Sequence, residues 1–170
     1  MKSLLKILLT LIILNSLCLS CHKYPKDPFI SFRKPDKRLE ASTWQFTSYQ
    51  INGVEHSHDF DSLLAPNTLT NCYLIMVDNS AIYSYYISRS SDNLYSLADN
   101  GTWHLSYDNK TIQFYSSANG VNFNNFYVQL FKSTITGSIT WTTPAFNIVE
   151  LYGKHLHISN NGVDIYFKKI

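Results

Sequence analysis

The densest cluster of chemically capable residues is His56-Ser57-His58-Asp59-Phe60-Asp61. Two imidazoles and two carboxylates this close are donor types that bind a transition metal. They are also common in polar loops, and Asp59 suits the cap of a short helix. His56 and His58 are the chain's metal candidates, and the expectation is that neither holds one and that no cofactor is used. His155 and His157 alternate about Leu156 in a β run, so they share one face. Leu156 and Ile158 take the other face, expected to be buried, which leaves both histidines toward solvent.

Nucleophilic catalysis has little support. Serines are plentiful, but there is no Gly-x-Ser-x-Gly elbow. There is no Gly-x-x-x-x-Gly-Lys phosphate loop. Apart from Asp59 and Asp61 the acids are scattered, so no acid/base pair stands out. The chain is expected not to be an enzyme. Tyr83, Tyr85 and Tyr86 form the densest aromatic group. Tyr83 and Tyr85 share one strand face and Tyr86 takes the other. Either the three pack the core or they contact a sugar or lipid, and they are the candidate ligand-binding residues.

The elements that must position these residues are β runs. Of 170 residues, 45% are hydrophobic, 15% aromatic and 15% charged. That composition excludes a disordered chain. A net charge of +2 does not suit a nucleic-acid binder, which needs a strongly basic face. From Thr43 onward, runs rich in Val, Ile, Thr, Tyr, Phe and Trp alternate with turn residues. Asn52-Gly53, Asp78-Asn79-Ser80, Asp99-Asn100-Gly101, Asp108-Asn109-Lys110 and Ala118-Asn119-Gly120 are the turns. This spacing predicts an antiparallel all-β sandwich or barrel. No stretch has the length and period of a crossover helix, which excludes parallel α/β enzymes. One segment differs: Phe60, Leu63 and Leu64 share a helical face, and Pro66 ends it. A short helix in a long first loop, its apolar face on the β body, is expected there.

Residues 1–20 read as a secretory signal. Lys2 and Lys6 precede an apolar run, Ile7 to Leu19, that is too short to span a bilayer. Cys21 follows Ser20, and this junction resembles the lipobox of bacterial lipoproteins, where the cysteine is acylated. Leu19 and Cys18 depart from the usual pattern, and ordinary cleavage after Ser20 is the alternative. Acyl chains on Cys21 imply a lasting membrane anchor. With the signal removed and Cys21 acylated, Cys72 is left without a disulfide partner, as a small buried hydrophobe.

Residues 21–40 form a basic tether. Lys23, Lys26, Arg33, Lys34, Lys37 and Arg38 outnumber Asp27, Asp36 and Glu40. Its charges suit anionic headgroups or simply a solvated linker. Phe29, Ile30 and Phe32 are expected to pack against the body, residues 41–170, whose acids outnumber its bases.

The order of these pieces resembles the lipocalin-like domain lipoproteins of Bacteroidota-type bacteria. The residues that carry it are Asp27-Pro-Phe-Ile-Ser-Phe-Arg33, Arg38-Leu39 before Trp44, Tyr49-Gln-Ile-Asn-Gly53 and Gly101-Thr-Trp-His-Leu105. The tail adds Ile148-Val-Glu-Leu151, Leu156-His-Ile158 and Gly162-Val-Asp-Ile-Tyr-Phe-Lys168. Ser42 stands where a lipocalin has glycine, and nine or ten runs replace a clean eight. The resemblance implies an up-and-down β-barrel of about eight strands, closed at one end by Trp44 as a structural plug. It also implies a long first loop over the open mouth. An eight-stranded barrel is either filled by side chains or holds one small ligand. The function expected is non-enzymatic binding of a small, partly apolar ligand by an anchored envelope protein, in the outer membrane. The alternative is an envelope interaction module that binds a protein or glycan through exposed tyrosines or a sheet edge. Asp61-Ser62-Leu63 also resembles the O-glycosylation motif of Bacteroidota exported proteins.

Overall fold

The structure is a computed structural model that describes residues 24–27, 34–40, 42–64, 68–78, 83–91, 94–116, 130–131, 134–136 and 140–170. The chain runs through helix α1 (Pro35–Leu39), β1 (Ser42–Ile51) and β2 (Val54–Glu55). A 3-10 turn (Ser57–Phe60), α2 (Asp61–Leu64) and a second 3-10 turn (Leu69–Asn71) follow. Then come β3 (Cys72–Asp78), β4 (Tyr83–Ser91), β5 (Leu94–Leu105) and β6 (Thr111–Ser116). β7 (Thr134–Thr136), β8 (Thr140–Thr142), β9 (Phe146–Tyr152), β10 (His155–Asn160) and β11 (Val163–Lys169) complete it.

The strands make one antiparallel sheet, as the sequence predicts. Its order is β5-β4-β3-β1-β11-β10-β9-β6-β8-β7, with β2 on β1 and a further pairing of β5 with β6. Asp99-Asn100-Gly101, expected to be a turn, lies inside one strand. β5 passes straight through Asp99-Asn100-Gly101, opposite β4. Ile87 faces Asp99 but Ser88 faces Leu97, so a bulge at Ala98 absorbs the turn-type residues. Tyr107 lies in the turn after β5.

A second bulge sets the phase of β1. Phe46 faces Phe167, yet Ser48 faces Tyr166, which leaves Thr47 as the extra residue. Trp44 and Phe46 are buried on one side of the bulge, and Tyr49 is buried beyond it. Without the bulge, strict alternation would turn Tyr49 outward.

The core is aromatic. Phe46 and Phe167 meet at 4.5 Å between ring centroids. Phe131 lies 5.3 Å from Phe114, 6.1 Å from Phe146 and 6.3 Å from Phe46. Trp44 and Trp103 are buried in the same cluster, with Leu74, Met76, Ile112, Ile158 and Ile165. Cys72 is buried in this cluster, and its thiol donates to the Thr68 carbonyl at 3.8 Å.

The two ends of the sheet differ. One end carries the turns Asn52-Gly53 and Asn161-Gly162, both with positive φ at both residues. This is the asparagine-glycine turn that suits a two-residue hairpin. The Asn52 N–H donates to the Gly162 carbonyl at 2.6 Å, which ties the turns together. The other end carries α1, the 106–110 turn, the Gly153-Lys154 turn and the end of β11.

The described part of the basic tether, residues 24–27 and 34–40, forms a stem fastened to that second end, the stem end. The Lys26 N–H donates to the Val149 carbonyl at 3.1 Å. Asp27 is buried, and its carboxylate accepts from the Leu151 N–H at 2.7 Å and from Arg38 Nη1 at 2.9 Å. Arg38 Nη1 also donates to the Leu151 carbonyl. The guanidinium lies 5.5 Å from the Tyr24 ring centroid, and the Tyr24 hydroxyl donates to the Asn109 carbonyl at 2.9 Å. Burial pushes the Tyr24 hydroxyl pKa up, against the nearby Arg38 charge. Phe29, Ile30 and Phe32 lie outside the described residues, as do residues 1–23.

Candidate functional site

The turn end of the sheet holds the most organised polar cluster. Glu55 follows the Asn52-Gly53 turn, so its side chain comes back toward β1. One carboxylate oxygen accepts from the Ser57 N–H at 3.0 Å and the Tyr49 N–H at 3.4 Å. The Ser57 hydroxyl donates to the same oxygen, and the Ser48 hydroxyl donates to the other. The His56 N–H adds a bond to the Tyr49 carbonyl at 2.8 Å. Burial acts to raise the Glu55 pKa, but the bonds from Ser48, Ser57 and Tyr49 outweigh it and hold it at about 2. These bonds fold the first long loop onto β1.

The fold-back brings Phe60 onto Tyr49. Their rings meet edge to face, 4.9 Å apart at 87°. Phe60 and Leu64 are buried, so the loop turns its apolar face to the core as expected. The segment is a 3-10 turn running into one short α turn, rather than a single helix. The Leu63 side chain and Pro66 lie outside the described residues.

Tyr49 is 1% exposed, and its hydroxyl has no hydrogen-bond partner among the described residues. Burial, aided by the Asp59 charge, pushes its pKa up to about 12, so the phenol stays protonated. A neutral phenol in apolar surroundings donates one hydrogen bond to an acceptor brought in beside it. An apolar body with one acceptor end is the ligand chemistry it fits.

The histidines divide differently from the sequence expectation. His56 Nδ1 is 2.7 Å from Asp59 Oδ2, and His58 Nδ1 is 3.0 Å from Asp61 Oδ2. Each imidazole thus takes its own carboxylate, and the Asp61 bond raises the His58 pKa. No group of three His, Cys, Asp or Glu residues placed to hold a metal occurs among the described residues. Asp59 pairs inside the 3-10 turn, whose cap position is His56, so it is not the helix cap.

His155 is exposed, but His157 is not the solvent-facing residue expected: it is 4% exposed. It faces outward opposite Tyr166 and Glu150, and the ladder to β9 shifts register beside it. Its partners, not its strand face, bury it.

Tyr83, Tyr85 and Tyr86 stand in β4 opposite Asp78, Met76 and Ile75. Their side chains lie outside the described residues, as does Cys21. Trp44 is buried and its Nε1 donates to the Leu39 carbonyl at 3.0 Å, joining β1 to α1. Tyr49 was missed by residue spacing, because the bulge at Thr47 moves it inward. Glu55 carried no sequence signal beyond its place two residues after an asparagine-glycine turn.

No family model, curated protein or solved structure matches the chain. No helix among the described residues is long and apolar enough to cross a membrane.

Proposed function

We propose that this is a non-enzymatic, lipid-anchored protein of the cell envelope, acylated at Cys21 and held in the outer membrane. Its sheet is a lipocalin-like barrel that takes a small, partly apolar ligand beneath the 54–66 loop. The order of pairing supports closure. β1, β3, β4, β5, β6, β9, β10 and β11 each pair with the next, and β11 pairs with β1. Eight strands enclose an interior that side chains fill or that holds one small ligand.

The observation that carries ligand binding is the buried Tyr49 hydroxyl, which has no partner among the described residues, under Phe60. Leaving such a group unpaired costs about 1–3 kcal/mol, which a ligand acceptor would recover. The test is native mass spectrometry of protein purified from the envelope without denaturant. The wild type should carry a non-covalent mass that Tyr49→Phe binds far less well. Wild-type protein with no added mass, and no ligand in an organic extract of it, would reject this function.

A second reading has its own support. Trp44, Phe46, Trp103, Phe114, Phe131 and Phe146 occupy the described interior as one buried cluster. A filled interior leaves the outer surface for a protein or glycan partner. It predicts no copurifying small molecule and unchanged partner binding in Tyr49→Phe.

A further inference from the structure

The two ends of the sheet carry opposite charge. At the stem end Lys26, Lys34, Lys154 and Lys168 are exposed, Lys169 is half-buried and Lys110 is exposed beside Asp108 at 3.8 Å. The acids there are largely occupied. Asp27 is buried with Arg38, and Glu40 pairs with Lys37 at 2.8 Å. Among the described side chains Asp36 remains, half-buried. At the other end residues 52–64 hold Glu55, Asp59 and Asp61 and neither Lys nor Arg; Arg89, in β4 opposite Cys72, is the base of the strands placed nearer that end.

The stem end also bears exposed aromatic rings. Tyr107, in the 106–110 turn, is fully exposed, and Tyr152, before the Gly153-Lys154 turn, is 51% exposed. Tyrosine and lysine side by side are the composition of a membrane–water interface. Anionic headgroups attract each nearby lysine and repel the acidic far end.

Chain length adds a second, independent constraint. Tyr24 is buried against the 106–110 turn, and Cys21 is only three residues before it. Three residues reach at most about 10 Å. An acyl group on Cys21 therefore cannot let this body swing freely on a long tether.

We propose that the stem end of the sheet docks face-on against an anionic lipid surface, with Tyr107, Tyr152 and the lysines in contact with headgroups. The acidic 52–64 end then points away from the membrane, open to the compartment. The docking rests on the Cys21 anchor proposed above and adds a fixed orientation to it.

The test uses the acylated protein in phosphatidylcholine vesicles, with and without about one quarter phosphatidylglycerol. Spin labels go on Tyr107→Cys and, separately, Val54→Cys, with Cys72 buried in both. In anionic vesicles the label at 107 should be shielded from a water-soluble relaxation agent, and the label at 54 should stay open. Shielding at 107 should weaken in pure phosphatidylcholine. Replacing Lys110 and Lys154 by Gln should lower the docked-to-free ratio about fivefold for each lysine removed. The wild-type comparison between the two lipids needs neither lysine variant to fold. Equal exposure of both labels on acylated, vesicle-bound protein would overturn the docking and leave the anchor standing. Absence of acyl mass on the purified protein would overturn both.

Discussion

The His157 ring lies almost flat against the Tyr166 ring, with centroids 4.1 Å apart and planes at 16°. Nε2 of the same imidazole is 2.7 Å from Asp164 Oδ1, while Nδ1 is buried without a partner among the described residues. Burial pushes the His157 pKa down; the Asp164 bond opposes this, and the Lys26 charge from the stem adds to it. An imidazole covered on the outer side of a sheet is thereby kept neutral.

Acid should therefore destabilise the fold through His157. Its folded pKa lies below the unfolded value of 6.5. As pH falls through 6.5, the unfolded chain takes up a proton that the folded chain refuses, and stability drops. His58 works the other way: its pKa is raised, so its contribution is present below 6.5 and lost as pH rises through the folded value. The comparison is best made in a His58→Gln background. The urea midpoint should fall between about pH 7.5 and pH 5.5, and His157→Gln should flatten the fall. An NMR titration midpoint for His157 above 6.5 would contradict this.

The Arg38–Asp27 pair should be the most sensitive polar contact in the protein. Asp27 is 1% exposed at its side chain and Arg38 11%. Removing one member of such a pair strands the other charge, at a cost of about 3–5 kcal/mol. Asp27→Ala and Arg38→Ala should each lower the thermal midpoint by several degrees. Asp27→Asn should lose less, because its carbonyl can still accept from the Leu151 N–H. A loss below about 1 kcal/mol in both alanine variants would show that the stem is not fastened by this pair.

The all-β character was legible in the sequence because β-branched and aromatic runs alternate with Asn-Gly and Asp-Asn turns. The 106–110 hairpin and the buried Phe60 and Leu64 followed from the same local chemistry. What the sequence hid was set by partners far along the chain. Asp99-Asn100-Gly101 has turn chemistry, yet pairing with β4 on one side and β6 on the other carries it inside a strand. His157 alternates with buried neighbours as an exposed residue should, yet Tyr166 and Asp164 cover it. Asp27 and Arg38 look like ordinary charges of a linker until Leu151, more than a hundred residues away, is placed between them. Tyr49 changes face because of one extra residue, and nothing in Phe46-Thr47-Ser48 marks that bulge.

Removing the Tyr49 hydroxyl should not weaken the empty protein. Its hydroxyl is buried with no hydrogen-bond partner among the described residues, and an unpaired buried donor costs its desolvation. Tyr49→Phe keeps the edge-to-face packing on Phe60, so it should raise stability by about 1 kcal/mol in ligand-free protein. In protein that retains its ligand the same change should be neutral or destabilising. The measurement is the urea midpoint before and after organic extraction and refolding. A clear loss of stability in the extracted protein would mean that the hydroxyl is satisfied internally.

Glu55 should govern the loop rather than the global fold. It is mostly exposed, so its contribution to overall stability should stay below about 1 kcal/mol. Its folded pKa of about 2 lies under the ordinary value of 4.5. The stabilisation is therefore present above pH 4.5 and is lost as pH falls from there toward 2. Glu55→Gln removes the charged acceptor at every pH. The Ser57 amide, which donates to it at 3.0 Å, should then exchange with solvent several-fold faster. Amides of β10 and β11, at the far side of the Asn52–Gly162 contact, should keep wild-type rates. If Ser57 exchange is unchanged in Glu55→Gln, the loop is held by Phe60 and Leu64 alone, and the carboxylate is incidental to how Tyr49 is covered.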